Sequence, residues 1–592
     1  MNSKALVISN FLPQMTSTMK TKISQETFFE EVQRLIKAIE DFGNPFLEES
    51  SDLYKLDSKD VVNSEVARID NLKDIGIQQY NEFLDRITTE GQPDFYDPIK
   101  KNNFPLFSRK TKPNQGAAKG KVDNLKNDYE LFSRLFISCQ SRQCDMEEFF
   151  SHENQNTPPS LSQDGKLYPG TKSELMDIFE SLDIDIPADD PVSDVLVIDG
   201  AAMVSSKLPR QSKTFNDYAQ DIILPYIHTC VRRYSRVDVV FDVYLPNSLK
   251  AGTREKRGHG VRHKVVRTSK TPKVWHSFLR DSDNKTELFK FLSELIVTIN
   301  TDRQVFVTQG ESVLSNTSSD TTQLFPCNHE EADTRMFVHI QHAVVNGCKN
   351  LSLISTDTDV VVLAISTFVR LGLSKMWIGF GKTKDFRWLP IHDITAELEM
   401  PVSALPFFHA FTGCDTTSAF RRKGKKSAWQ VWEVFPDVTE VFSRLSSMPD
   451  SVTDNDMEML EAFVCIMYDR ATCTFEVNDA RFEMFARKQR VFDAIPPTRD
   501  ALLQHIKRSV YQGGHVWGQV LACRQALPSP ADWGWTNDSE VWKPKWTLLP
   551  SVTSSCRELL KCGCKKSNCV GNCKCYCSGL SCTVLCMCNC QR

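Results

Sequence analysis

The sequence of 592 residues lacks long apolar runs and a large net charge. No stretch of 18 apolar residues occurs, so no transmembrane helix is predicted and no membrane is expected as a partner. The N-terminal residues also lack the basic start and long apolar core of a signal peptide. Because the formal net charge is −4, any binding of nucleic acid must come from local basic patches.

Cysteine is sparse in most of the chain and dense at its end. Nine of the 20 cysteines are spread over the first 555 residues, and eleven lie in the last 37. A secreted protein built on disulfides would distribute its cysteines through the fold. The distribution therefore predicts a reduced, intracellular chain with a small cysteine-rich module at its C-terminal end.

The length predicts two to four folded units. Composition and periodicity divide the chain into a mostly helical N-terminal region, a linker rich in proline and small polar residues, an α/β domain, a helical extension, a Trp- and Pro-rich linker and the cysteine module. The predicted boundaries are 1–150, 151–190, 191–430, 431–527, 528–555 and 556–592. The Trp- and Pro-rich linker is expected to strap onto the domain that precedes it.

Short β-rich runs alternate with amphipathic stretches in the α/β domain. The predicted strands are 194–199, 237–244, 304–308, 351–355 and 376–380, and helices are predicted over 285–299 and 331–345. This alternation predicts an α/β fold with a mostly parallel, twisted sheet flanked by helices. In such sheets the functional site lies at the carboxyl ends of the strands.

Acidic residues lie at or just after several of these strands and at the start of a predicted helix. They are Asp199, Asp242, Glu331, Asp333, Asp357, Asp359 and Asp415. Each alone is equally well explained by a turn or a helix cap, but together they are expected to converge at one edge of the sheet. Carboxylates that converge repel one another and are costly to bury unpaired. Hard divalent cations, Mg²⁺ or Mn²⁺, would offset that repulsion, and a pair of such ions suits phosphodiester hydrolysis.

The order of these motifs resembles the flap-endonuclease-type 5′ nucleases of the PIN-like superfamily. The motifs are an Asp that ends the first strand, then F-D, E-A-D, D-T-D and G-C-D, within residues 190–430. The resemblance implies one metal ion held by Asp199, Asp242, Glu331 and Asp333. It implies a second ion held or supported by Asp357, Asp359 and Asp415. It gives no role to the adjacent Glu330.

Two basic segments extend the resemblance. It implies that Lys250, Arg254 and Arg257 contact the substrate phosphate, although a solvated loop is the alternative for this segment. It implies that basic residues around Gly424 grip the duplex backbone, and these are Arg421, Lys423, Lys425 and Lys426. The family has a Gly-rich turn where this chain has only Gly424, so no preference for duplexes or flaps is predicted.

Cys327 lies close in sequence to His329, His339 and His342. A zinc site formed by these side chains is one interpretation. The alternative is that the histidines pack in the core or face solvent, since His339 and His342 lie on a predicted helix.

Nine cysteines of the C-terminal module are predicted zinc ligands: Cys562, Cys564, Cys569, Cys573, Cys575, Cys582, Cys586, Cys588 and Cys590. If some sulfurs bridge, they suffice for about three tetrahedral Zn²⁺ ions. A segment this short buries little hydrophobic core, and metal binding would therefore supply most of the free energy that folds it. Disulfides or free thiols are the alternative. The spacing resembles the tesmin/TSO1-like CXC domain, which implies DNA binding and a nuclear location. Asn572 replaces the tyrosine that the family inserts into the minor groove, so backbone contacts are expected.

The leading hypothesis is a metal-dependent nuclease with a zinc-bound, DNA-contacting tail. The alternative is a catalytically inactive DNA- or chromatin-binding protein on a nuclease-like scaffold. A metallophosphatase acting on other substrates is disfavoured by the basic segments. The pairing of the two regions also resembles that of a group of animal proteins.

Overall fold

The structure of the protein is a computed structural model. It describes residues 30–37, 61, 72–88, 132, 136, 146–245, 247–250, 254, 260–382, 385–487, 492–538 and 541–552. The chain divides into two units, one made of residues 1–113, 207–227 and 259–295 and the other of residues 114–206, 228–258 and 296–592. The nine predicted zinc ligands and Arg257 lie outside the described residues.

The strands found among the described residues all belong to the second unit. They are β1 (Ser162–Gln163), β2 (Lys166–Leu167), β3 (Val195–Asp199), β4 (Arg236–Val240), β5 (Gln304–Gln309), β6 (Ser312–Ser315), β7 (Asn350–Ser355), β8 (Lys375–Phe380), β9 (Arg387–Pro390), β10 (Trp535–Asp538) and β11 (Val541–Pro544).

The α-helices lie in both units. They are α1 (Leu72–Thr88), α2 (Met146–Ser151), α3 (Glu174–Phe179), α4 (Gly200–Ser206), α5 (Phe215–Tyr218), α6 (Leu224–Arg233), α7 (Trp275–Phe278), α8 (Ser282–Ile296), α9 (Ala332–Val345), α10 (Thr358–Leu371), α11 (Ile391–Glu397), α12 (Leu405–Phe411), α13 (Lys425–Val434), α14 (Val438–Leu445), α15 (Asp454–Tyr468), α16 (Val477–Phe482) and α17 (Arg499–Val510). Within the part of the chain that the structure describes, no helix has both the length and the apolar character needed to cross a bilayer.

Seven strands form the central sheet, in the order β6-β5-β4-β3-β7-β8-β9. The five inner strands are parallel, and β6 and β9 pair antiparallel at the two edges. This confirms the predicted α/β fold with a mostly parallel sheet. Each of the five predicted strands lies in this sheet, whereas both antiparallel edge strands were missed.

The sheet is covered by helices of the same unit. Every residue of β3 and of β4 is buried, as expected for parallel strands that are covered on both faces. Helix α9 packs on β3 and β4, and α11 packs on β8 and β9. The predicted helical extension is helical and packs in the same core, where the rings of Phe408, Trp432 and Phe442 contact one another.

The segment 151–190 is folded, which corrects its prediction as a linker. It contains the β1–β2 hairpin and α3, and α3 buries Leu175, Met176 and Phe179 in the core. Proline and small polar residues suggested an exposed linker. They instead belong to a segment whose backbone is bonded to later parts of the unit, through Ala419 N to Tyr168 O at 2.9 Å.

The Trp- and Pro-rich segment packs against the preceding helices, as predicted. Trp533 and Trp535 are buried, and β10 and β11 form a hairpin. The guanidinium of Arg508, on α17, donates to Gly534 O and Lys545 O, at 3.1 and 2.5 Å. The segment is therefore fixed by the buried end of a helix.

In its described residues the first unit is largely helical. Its aromatic cluster includes Trp275, whose ring stacks on Phe278 at 4.9 Å and lies 5.1 Å from that of Tyr218. Glu287 of α8 forms ion pairs with Arg262 and Lys264 of the predicted basic segment. Arg262 and Lys264 are therefore paired within the first unit.

Candidate metal centre

The order of the parallel strands reverses between β3 and β7, and the predicted acids gather at this reversal. Successive strands run from β3 to β5 on one side and from β7 to β8 on the other. Such a reversal leaves a crevice at the carboxyl ends of the strands. Asp199 is the last residue of β3, Asp242 follows β4 by two residues, and Asp357 follows β7 by two.

Asp199 is buried at the carboxyl end of β3. Its carboxylate accepts hydrogen bonds from Ala202 N at 2.9 Å and from Ser355 Oγ at 3.2 Å. Burial, and next the charge of Asp242, raise the pKa of Asp199 to about 7. The following Gly200 is required by packing, because a Cβ there would lie 2.3 Å from the Phe241 ring.

Asp242 positions the start of α9. Its carboxylate accepts from Ala332 N at 2.8 Å, and from the hydroxyl of Tyr244 at 2.8 Å. This contact places Glu331 and Asp333, on either side of Ala332, next to the strand ends. Burial raises the pKa of Asp333 well above its usual range, and the charges of Asp357 and Asp199 add to the shift.

Asp357 and Asp359 begin α10. Asp357 caps the helix by accepting from Asp359 N at 2.9 Å. Burial, and next the charge of Asp359, raise the pKa of Asp357. Burial also opposes ionisation of Asp359, but the charge of Lys172 and a 2.8 Å hydrogen bond from His409 Nε2 outweigh it and hold the pKa of Asp359 well below its usual range.

One set of carboxylate oxygens converges closely enough to bind a single cation. Oxygens of Asp333, Asp357 and Asp359 lie within 4.8 Å of one another. The structure thus brings Asp333 from the first predicted ligand set next to two members of the second. Carboxylate oxygen is the ligand type that Mg²⁺ and Mn²⁺ prefer.

Lys172 is a site residue that the sequence analysis missed. Its Nζ lies 2.8 Å from Asp359, 2.9 Å from Asp415 and 3.4 Å from Asp357. It comes from the segment that was predicted to be a linker, and no local sequence signal marks it. His409 was missed as well, because a histidine on the apolar helix α12 is typical of a core position.

The first basic segment pairs with acids at the start of α9. Lys250 forms an ion pair with Glu331, and Arg254 forms one with Glu330 at 2.7 Å. Ser248 also donates to Glu330, at 2.6 Å. Glu330, which had no predicted role, therefore anchors Ser248 and Arg254 near the start of α9.

The second basic segment is largely engaged within the protein. Arg421 forms an ion pair with Asp493 at 3.1 Å, and the Lys423 ammonium lies 5.4 Å from the Tyr468 ring centre. Lys426 pairs with Asp177 at 2.8 Å. A carboxylate oxygen of Glu174 accepts from Lys426 N at 3.1 Å. This backbone amide at the start of α13, where a phosphate was expected to bind, therefore already has a partner within the protein.

Lys425 does not reach the surface, which disagrees with the predicted phosphate contact. It is buried, and its ammonium donates to His409 O and to Thr412 Oγ1, each at 2.8 Å. Burial lowers the pKa of Lys425 to about 7. Its side chain connects α12 to α13 instead of facing a ligand.

The histidines near Cys327 pack in the core and do not form a zinc site. His329 bonds to Thr334 Oγ1 and Ala522 O, and His339 bonds to Asp238. His342 bonds to Arg236. Among the described residues, Asp333, Asp357 and Asp359 are the set of three potential ligands that lies close enough to hold an ion.

No family model and no curated protein matches the chain. Solved structures with weak similarity include the bacteriophage T5 D15 protein co-crystallised with metal ions, at 13% identity and a TM-score of 0.27, over 55% of this chain and 97% of that chain. The T5 D15 flap endonuclease in complex with DNA and metal ions has the same identity and TM-score, over 55% and 96%. The catalytic core of Rad2 in complex with DNA substrate has 14% identity and a TM-score of 0.26, over 56% and 90%. Similarity at this level says nothing about the function of this chain. The function is inferred from the residues of the site alone.

Proposed function

We propose that the protein is a metal-dependent nuclease that hydrolyses phosphodiester bonds of nucleic acid, with DNA as the expected substrate. The observation that carries the proposal is the convergence of Asp333, Asp357 and Asp359 oxygens within 4.8 Å at the strand reversal. Burial and mutual repulsion raise the pKa values of Asp333 and Asp357. A divalent cation offsets such repulsion, so the donor set suits Mg²⁺ or Mn²⁺.

The acids would hold the ion, and the neighbouring groups would set its surroundings. When bound, such an ion supplies activation of water and stabilisation of charge on the phosphate. Asp242 keeps the start of α9 against the strand ends, and His409 holds the orientation of Asp359. Lys250, paired with Glu331, keeps a positive charge at the mouth of the site, where a phosphate oxygen would bind. The cysteine module would add zinc-dependent contacts to the DNA backbone.

One observation favours the inactive-scaffold alternative. Lys172 and Lys250 already neutralise part of the acidic cluster, which leaves less negative charge for a metal ion to offset. A DNA- or chromatin-binding protein that kept these acids would then bind nucleic acid without cutting it. Only an assay of cleavage separates the two functions.

We expect the purified protein to cut nucleic acid with Mg²⁺ or Mn²⁺ and not with EDTA, in an assay of labelled single-stranded, duplex and flap DNA and RNA. Asp357→Asn with Asp359→Asn should reduce cleavage to the EDTA level, because both changes remove ligand oxygens. Asp183→Asn with Asp185→Asn is the matched control, since this exposed pair has the same spacing and is not part of the convergent set of acids. Binding without cutting in both metals would support the inactive scaffold instead.

The stabilisation of the protein by Mg²⁺ should increase with pH. The pKa of Asp199 is raised to about 7 in the metal-free folded state, whereas in the unfolded state it is about 4. Between these pH values the folded state holds a proton that the unfolded state has lost, so the free energy of unfolding falls as the pH rises. Buried histidines such as His505, whose pKa burial lowers to about 3, act in the opposite direction. The quantity to measure is therefore the difference in free energy of unfolding with and without Mg²⁺, which cancels the histidine contributions.

This difference should grow from about pH 5 to about pH 7, by about 1.4 kcal/mol per pH unit for each proton that the ion displaces. Asp199→Asn should reduce the slope, because it removes one such proton. A Mg²⁺ effect of equal size at both pH values would show that the ion binds away from these carboxylates.

A further inference from the structure

The ammonium of Lys172 lies among the three carboxylates that were predicted to hold the second metal ion. Its distances to oxygens of Asp359, Asp415 and Asp357 are 2.8, 2.9 and 3.4 Å. An ammonium group has three N–H donors, so each can point to a different carboxylate. The Lys172 side chain is only 18% exposed, which shields these contacts from water.

The backbone on both sides of Lys172 is fixed. On the N-terminal side, Tyr168 O accepts from Ala419 N at 2.9 Å, and a Cβ on Gly170 would lie 3.1 Å from the Ala419 side chain. On the C-terminal side, Glu174 accepts from Lys426 N, and Leu175 is fully buried. Because the flanking backbone is held in place, Lys172 could leave the acids only by a rotation of its own side chain.

Among the acids around Lys172, Asp359 is already satisfied. Both oxygens of Asp359 have partners, Lys172 at one and His409 at the other, and its side chain is only 2% exposed. A divalent ion bound in the same place would have to displace the ammonium and overcome its charge. By contrast, no lysine or arginine in the described residues forms an ion pair with Asp199, Asp242 or Asp333.

We infer that the ammonium of Lys172 takes the place of the second metal ion. The site would then bind one divalent ion instead of two. The single ion would be held where oxygens of Asp333, Asp357 and Asp359 converge, while Lys172 occupies the place of the other ion between Asp357, Asp359 and Asp415. The inference rests on the proposed function, because it concerns the same acids. Lys172 is here a positioning residue that orients Asp357, Asp359 and Asp415.

Counting bound Mn²⁺ tests this inference without an activity assay. The full-length protein is titrated with Mn²⁺, and free Mn²⁺ is measured by electron paramagnetic resonance. Sites that disappear in the variant with Asp357→Asn and Asp359→Asn belong to the acidic cluster. Mn²⁺ prefers oxygen ligands to thiolates, so the cysteines should contribute little.

The wild type should bind about one Mn²⁺ at the cluster, and Lys172→Ala should bind about two. Lys166→Ala is the matched control, an exposed lysine of the same segment, and should behave as the wild type. Lys172→Met keeps the length and apolar stem of the side chain without its charge, so it reports the same change if the alanine variant does not fold. Lys172→Arg keeps the charge and should bind about one ion.

Two Mn²⁺ in the wild type, unchanged in both Lys172 variants, would overturn the inference, as would no binding in the wild type. One ion in the wild type and two in the variants would support it even if no nucleic acid is cut. That result would contradict the proposed nuclease function but support the inference that Lys172 replaces a metal ion. Cleavage by a wild type that binds two ions would instead support the nuclease function and overturn the charge replacement.

Discussion

Asp333→Asn is expected to stabilise the metal-free protein while it reduces cleavage by about 100- to 1000-fold. The Asp333 carboxylate is repelled by Asp357 and Asp199 and is costly to ionise in its buried place. An asparagine has the same shape without the charge, so it relieves the repulsion but removes a metal ligand. We expect the free energy of unfolding in EDTA to increase by about 1–2 kcal/mol, the usual size of such relief at functional sites.

Asp74→Asn is a suitable control for the loss of a helix-terminal charge. Both residues lie in the first turn of a helix, Asp333 in α9 and Asp74 in α1, where a negative charge interacts favourably with the helix dipole. Asp74 is exposed, so its replacement should cost up to about 0.5 kcal/mol. Urea unfolding with and without Mg²⁺ measures both effects. If Asp333→Asn destabilises the metal-free protein as much as Asp74→Asn or more, the repulsion among the acids is not significant.

The strands that carry the site could be predicted from the sequence because their signal is local. The predicted strand 194–199 differs from β3 by one residue, and 351–355 differs from β7 by one. Each is a largely apolar run with an acid at or just after its carboxyl end. The edge strands β6 and β9 have four residues each and no such run, so they could not be recognised.

The partners of the acids could not be predicted, because they are distant in sequence. Lys172 lies 185 residues before Asp357, and tertiary packing brings them together. The same limit applies to the basic residues. The sequence shows that Lys425 and Lys426 are charged, but it does not show that one is buried and that the other pairs with Asp177. Charge patterns predict a binding surface only where the charges have no partner within the fold.

The buried ion pair of β4 provides the largest expected loss of stability. Asp238 is fully buried and accepts from Arg236 Nε and Nη2, at 2.7 and 2.6 Å. The ring of His339 contacts the same carboxylate at 2.7 Å, and Arg236 Nη1 contacts His342 Nδ1 at 2.9 Å. Burial opposes ionisation of Asp238, but Arg236 outweighs it and holds the pKa of Asp238 at about 2.

Asp238→Ala should lower the free energy of unfolding by about 3–5 kcal/mol, because it leaves the Arg236 guanidinium buried without an anion. Asp302→Ala, at an exposed aspartate, is the control and should change stability by less than about 0.5 kcal/mol. The double variant with Arg236→Met and Asp238→Ala should regain part of the loss, since no unpaired charge remains. The cost of the single change would then come from the stranded charge. A double variant less stable than Asp238→Ala would show instead that Arg236 stabilises the protein mainly through its packing over the Phe306 ring, 4.3 Å away.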